Sequence, residues 1–356
     1  DNINVPSELE SYINGRWSAL AQRLTKTFPS RESWSTLTLQ EFMDVLTPQV
    51  VDRTCRRMAR EGKLQHLLSK TVSCQLHGIS LSAISTPFTA LSQYRLARNL
   101  SSACNEAMLW TSAIPSSPDM VIQPALFRIL VAHALGLPLP GFLTLRNRSC
   151  SCRASLGHEG YHLLACYRTF AHDRVVKVLN DMCRTAGLVS DVEPVAMISG
   201  ERRPDLLVSN LREDGKAYLA DFASVDPIRQ SSIQTSWFTP GVAAYEREQE
   251  KLESYHGQFD PTAFEMVPLA MEITGRMTPK FRRFLSEVAS FASTHLETGG
   301  VGPHRFRARF LKFWKTRIMV TFLKSLARSA AETQQSILDR SVRSSMETPD
   351  INMFEP

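Results

Sequence analysis

Three cysteines and a histidine crowd into Cys150-x-Cys152 and His162-Leu-Leu-Ala-Cys166, and no other feature restricts the fold of this chain as tightly. Three thiols and one imidazole make a full tetrahedral set of the soft donors that zinc prefers. The close Cys pair supplies one side of a tetrahedron from a turn. His162 and Cys166, four positions apart, supply the other from one face of a helical turn. Gly157 and Gly160 let the intervening loop fold back, and His158 is a competing ligand. The alternative is three unliganded thiols beside a core histidine. Buried Cys favours an apolar context that this loop lacks, so metal is the better reading. Four protein ligands close a site, which makes its role structural.

The remaining cysteines, Cys55, Cys74, Cys104 and Cys183, are scattered singly through helical-looking sequence. An odd total of seven without a secretory leader pattern points to a reducing, intracellular compartment. The chain starts at Asp1 with no initiator Met, and it reads as a piece of something longer. Its 356 residues leave room for two or three domains. No stretch approaches the roughly 18 uninterrupted apolar residues of a membrane helix, so no membrane partner is expected. A net charge of +6 permits a nucleic-acid partner without demanding one.

Residues 1–140 read as helical, with apolar spacing over Ser7–Leu24 and a capping box at Thr38-Leu-Gln-Glu41. Tyr94–Ser112 and Gln123–Leu135 continue the pattern, broken by Ile114-Pro115-Ser116-Ser117-Pro118 and Gly136-Leu-Pro138-Leu-Pro140. The second break sets a boundary, with a knuckle expected over 141–168 and a further domain over 169–330. Within that domain helices are expected at Phe170–Ala186, Gly241–Tyr255 and Pro279–Leu296. A frayed polar tail is expected over 331–356.

Between the first two of those helices the pattern turns β-prone. Asp205–Asn210 and Lys216–Val225 flank Arg212-Glu-Asp-Gly215, whose Asp-Gly is a strong hairpin signal. The turn centre lies midway between Asp205 and Asp221, so antiparallel pairing brings these two acids together, with Asp221 near the end of its strand. Carboxylates that close repel unless a cation sits between them, which is how hard-metal sites are built. Ordinary Asp residues near a turn are the alternative. On the following helix Ala244, Arg247, Lys251 and Tyr255 share a face. A Lys and a Tyr there could position water and hold a phosphate, although alone this is a charged, solvated helix. Farther on, Arg305, Arg307, Arg309, Lys312, Lys315 and Arg317 interleave with Phe306, Phe310, Phe313 and Trp314. Such a segment could track phosphates; an amphipathic helix with its aromatic face in the core is the favoured reading.

Read in order, these pieces resemble the C-terminal region of non-LTR retrotransposon polyproteins, which carry a CCHC-type zinc knuckle and a restriction-like endonuclease. The matching residues are Leu109-Trp110-Thr-Ser-Ala-Ile-Pro115, Leu135-Gly-Leu-Pro-Leu-Pro140, the Cys/His cluster and Ala171-His172-Asp173. They continue with Val192-Glu-Pro194, Arg203-Pro-Asp205, Ala220-Asp221, Lys251-Leu-Glu-Ser-Tyr255 and Phe264-Glu-Met-Val-Pro268. The resemblance covers residues from about 105 to about 330, and the shared order is more specific than any one motif.

The resemblance implies an α+β architecture: a helical N-terminal region, a thumb or linker of a retroelement polymerase, a zinc knuckle, then a PD-(D/E)xK-like mixed sheet flanked by helices. It implies Asp205 and Asp221 as ligands of catalytic Mg²⁺ or Mn²⁺, Lys251 as a displaced catalytic lysine, and Tyr255 and Glu193 as accessory residues. Cys150, Cys152, His162 and Cys166 would hold Zn²⁺, while His172, Arg202, Arg203 and the Arg305–Lys312 cluster would face nucleic acid. The implied activity is DNA nicking that primes reverse transcription in the nucleus. Its partners would be DNA, the element's RNA and a reverse transcriptase located upstream or in another chain. Two departures stand out. Ala171 replaces the Arg of the family's Arg-His-Asn/Asp phrase, and Ala223 stands where an ordinary PD-(D/E)xK enzyme has Lys, in keeping with a migrated lysine. A non-catalytic nucleic-acid-binding protein that keeps the fold is the alternative.

Overall fold

The computed structural model describes residues 90–346 apart from 146–148, 158, 167–170, 196–202, 298 and 301. The expected helices at Ser7–Leu24 and after Thr38, together with Cys55, Cys74, His158 and Arg202, lie outside the described residues. The described chain runs α1 (Ala90–Ser102), α2 (Pro124–Leu135), α3 (Phe142–Leu145), α4 (His162–Ala165), α5 (Ala171–Thr185) and β1 (Val189–Val192). It continues through β2 (Leu206–Ser209), β3 (Ala217–Val225), α6 (Ile233–Ser236), α7 (Val242–Tyr255), β4 (Phe264–Glu272), α8 (Pro279–His295) and α9 (Pro303–Met346). The architecture is α+β, a four-stranded mixed sheet flanked by helices.

Strand order follows the chain, β1-β2-β3-β4, with the first two pairings antiparallel and β3–β4 parallel. A parallel neighbour cannot be reached by a tight turn, so the chain crosses over through α6 and α7 before β4. Burial along β3 separates two faces. Tyr218, Ala220 and Phe222 join the main core, whereas Leu219 and Val225 pack in smaller clusters with Tyr255, Ala243 and Ala244 of α7. Alternation places Asp221 on this second face, toward α7.

Helices α5, α8 and α9 pack on one another and contribute to the main core. Phe222 is edge-on to Phe281 at 6.2 Å and to Phe322 at 6.1 Å, uniting sheet, α8 and α9. Burying a side chain of this size contributes about 1.5–3 kcal/mol. In α5 the buried Val175, Val178, Leu179 and Met182 recur every three or four residues. The helix stops at Gly187 (φ 87), where Leu188 N–H donates to Cys183 O and Gly187 N–H to Arg184 O. That is a Schellman stop, which needs the left-handed residue glycine supplies.

Two expectations need correction. The helix begun near Tyr94 ends at Ser102, and only a short 3₁₀ turn, Leu109–Ser112, reforms beyond it. The stretch expected to fray from residue 331 continues as helix to Met346, because Ile337 still finds core to bury against. The aromatic segment is an amphipathic helix, as favoured, with Phe310 and Trp314 buried. Among the described residues, no helix is long and apolar enough to cross a membrane.

Candidate metal centres

Cys150 and Cys152 occupy a tight turn closed by Ser149↔Ser155 bridging, Cys150 N–H to Ala154 O at 3.0 Å and Arg153 N–H to Cys150 O at 2.9 Å. Arg153 sits at φ 68, the left-handed bend that turns both thiols the same way. Gly160, at φ 80, returns the loop: a Cβ there would lie 2.8 Å from the Phe142 ring. His162 then opens α4 and Cys166 follows its last residue. All four ligand atoms lie within 4.8 Å of one another, with Cys150 Sγ 3.8 Å from Cys166 Sγ and Cys152 Sγ 3.0 Å from His162 Nε2. Bonds of about 2.3 Å around a tetrahedral zinc separate two sulfurs by about 3.8 Å. The donors and their spacing fit, so this cluster could hold a metal ion such as zinc. Burial acts to raise the Cys152 thiol, but the Ala154 backbone and the Cys150 and Cys166 thiols outweigh it and hold it below the usual range. Burial alone lowers His162 and favours the neutral imidazole that metals require.

The knuckle is tied to the rest of the chain through Glu159. Its carboxylate accepts from Arg95 at 3.2 Å and from the buried Arg98 at 3.3 Å, both on α1. The Arg98 guanidinium lies 3.1 Å above the Tyr161 ring and donates to His133 O at 2.8 Å. His133, pushed down to about 3 by burial and by Arg98, is a neutral structural histidine.

The acidic pair forms a second constellation. The β2–β3 ladder ends at Leu206↔Ala220, so Asp205 and Asp221 occupy the next opposed positions. This is the juxtaposition expected from the hairpin. One detail differs: Asp221 lies in the middle of β3, because parallel pairing with β4 extends the strand beyond the hairpin. Asp221 is 2% exposed, and Lys251 Nζ reaches its Oδ2 at 2.5 Å. That oxygen is the one Lys251 covers, so the buried carboxylate is balanced by charge. Burial, then the Asp205 charge, push Asp221 up to about 6 against the opposing pull of Lys251.

Other expected residues land differently. On α7 the buried positions after Ala244 are Glu248 and Tyr255, and Arg247 turns aside to pair with Glu250 at 2.8 Å. The helical phase is therefore 244, 248, 251, 255, and Glu248 was missed because a charged residue reads as solvated. Glu248 Oε1 lies 3.4 Å from Lys280 Nζ. The Tyr255 hydroxyl donates to Arg203 O at 2.9 Å, bracing the segment that leads into Asp205. Glu193 is exposed just past β1 at φ 49, and its N–H donates to Asp205 O at 3.0 Å. Arg203, Arg305, Arg309 and Lys312 are exposed, while Arg307 donates to Ser286 Oγ at 2.7 Å. His172 does not simply face solvent: its Nε2 lies 3.0 Å from Asp205 Oδ2. No protein-family model matches the chain, and no curated protein matches it.

Proposed function

We propose that this chain is the C-terminal part of a retroelement polyprotein and carries a divalent-metal-dependent DNA endonuclease of the PD-(D/E)xK type. The observation that carries the reading is the convergence of Lys251 on Asp221, beside Asp205, from an element the hairpin alone could not have placed. A lysine covering a buried acid next to a second acid is an expensive arrangement for structure alone, since a buried ion pair contributes little net stability. It is the arrangement expected where charge must be handled at a reacting phosphate.

In this reading Asp205 and Asp221 hold Mg²⁺ or Mn²⁺, which when bound supplies Lewis acidity and an acidified water. Lys251, pinned at the Asp221 carboxylate, orients a water or a scissile-phosphate oxygen through charge-assisted hydrogen bonds. Tyr255 keeps the Arg203 segment, and with it Asp205, in register. Exposed Arg203, Arg305, Arg309 and Lys312 offer phosphate contacts along DNA. The Zn²⁺ knuckle is structural, and the reaction serves a reverse transcriptase upstream or in a separate chain, in the nucleus. Supercoiled-plasmid nicking with Mg²⁺ or Mn²⁺ tests the reading, with Asp205→Ala as control. Metal-dependent nicking lost in the variant supports it; equal nicking by the variant, or none by either protein, overturns it.

A further inference from the structure

We infer that His172 is a positioning residue that fixes the Asp205 carboxylate for its cation, rather than a nucleic-acid contact. The inference rests on the endonuclease reading for the cation's role, but its geometry is independent of that reading.

His172 lies in the first turn of α5, and its ring packs tilted on Phe222 with centroids 5.6 Å apart. Nε2 faces Asp205 Oδ2 at 3.0 Å and Phe222 O at 3.2 Å, while Nδ1 faces Asp173 Oδ1 at 3.2 Å. Phe222 N–H donates to the same Asp205 Oδ2 at 2.6 Å. One backbone donor from β3 and one ion-pairing imidazole from α5, whose N–H is shared with Phe222 O, thus converge on one oxygen of Asp205. Neither engages Oδ1; the last torsion of an Asp is intrinsically broad, so these contacts are what set the carboxylate's orientation.

The consequence is positional. Asp205 stands just before β2, past the last ladder pair, so the sheet does not hold its side chain. The Phe222 amide and the His172 imidazole do that instead. They also bind Asp205 to the residue directly after Asp221, which locks the two acids to one local frame. Carboxylates that ligate metals are commonly oriented by such outer hydrogen bonds, and losing one costs about 10- to 100-fold in metal affinity.

The decisive experiment measures Mn²⁺ binding by calorimetry on the full chain without DNA, alongside DNA affinity and nicking. His172→Phe refills the ring volume against Phe222 but removes the donor; His172→Gln retains an N–H at comparable reach. Melting curves check folding, and His172→Leu replaces the Phe variant if that one fails to fold. The expected result is Mn²⁺ binding weakened about 10- to 100-fold in His172→Phe, with His172→Gln near wild type and DNA affinity unchanged. Equal Mn²⁺ binding by wild type and His172→Phe overturns the inference. So does equal weakening in the Phe and Gln variants, or a loss confined to DNA affinity. Failure of the endonuclease reading is separately visible: a wild type that never nicks, yet loses Mn²⁺ on His172→Phe, retains the positioning role without the reaction.

Discussion

Lys251 and Asp221 meet at 2.5 Å although one lies on α7 and the other on the middle of β3, a buried carboxylate capped by a half-buried ammonium. The chain passes through α6 and into α7 before the lysine appears, so the pairing depends on how α7 settles on the sheet. Small Ala243 and Ala244 against Val225 and Ala270 let the helix approach closely. Enlarging that contact, as in Ala244→Leu, should move Lys251 away and cost about 1–3 kcal/mol by overpacking. Chemical denaturation reads the cost, and nicking should fall with it.

The pH dependence follows from Asp221. Burial first, and the Asp205 charge second, push it up to about 6 from an ordinary 3.8. The folded state therefore binds this proton more tightly than the unfolded chain does. The penalty for the charged form is absent below the ordinary value and grows as pH rises from there through about 6. Cation binding needs the charged form, so Mg²⁺-dependent nicking should fall on the acid side below about pH 6. In Lys251→Met the acid limb of Mn²⁺ binding should shift upward, because Lys251 is the group holding Asp221 down. An acid limb that stays in place would contradict the pairing.

His172 offers an independent spectroscopic test. The hydrogen bond to Asp205, against opposing burial, raises it to about 9 from 6.5. For a base raised in this way, the stabilising pairing is fully present below pH 6.5 and is lost as pH rises through about 9. Ring-proton NMR should show a midpoint near 9 in the wild type and a clear drop in Asp205→Asn. No change in the variant would mean that the two groups do not pair in solution.

Zinc removal should loosen more than the knuckle. Glu159 lies between the two ligand pairs and holds Arg95 and Arg98 of α1. Elemental analysis should find about one zinc per chain, lost in Cys166→Ser. Hydrogen exchange should then accelerate in α1 as well as around Cys150–Cys166. Arg98→Met, which leaves the buried Glu159 charge half-paired, should destabilise by about 3–5 kcal/mol.

A backbone test lies at the end of β4. Gly275 has φ 102, and a Cβ there would meet Met319 Sδ at 2.6 Å and the Ala107 Cα at 3.1 Å. Gly275→Ala should destabilise by more than about 1 kcal/mol, combining backbone strain with contact strain. A neutral melting temperature would contradict the close packing of α9 on this turn.

Much of the candidate site could be read from local sequence, for a physical reason. A hairpin's register follows from its turn, so Asp205 and Asp221 could be paired before any tertiary contact was known. The Cys/His set is likewise local, and its ligands share one turn and one short helix. What could not be read depends on packing between distant elements. The phase of α7 hinges on which residues tolerate burial, so Glu248 was missed and Arg247 misplaced. His172 was expected to face nucleic acid, because its partner Asp205 comes from another element. The end of α9 was set by the core Ile337 finds, which polar composition does not reveal.

Initial nicking rates for wild type and Lys251→Met, on supercoiled plasmid at saturating Mg²⁺ and neutral pH, test the central claim most directly. The account predicts metal-dependent nicking by the wild type and a loss of about a hundredfold or more in the variant, with both proteins folded. Equal rates, or no metal-dependent nicking by the wild type, would contradict it.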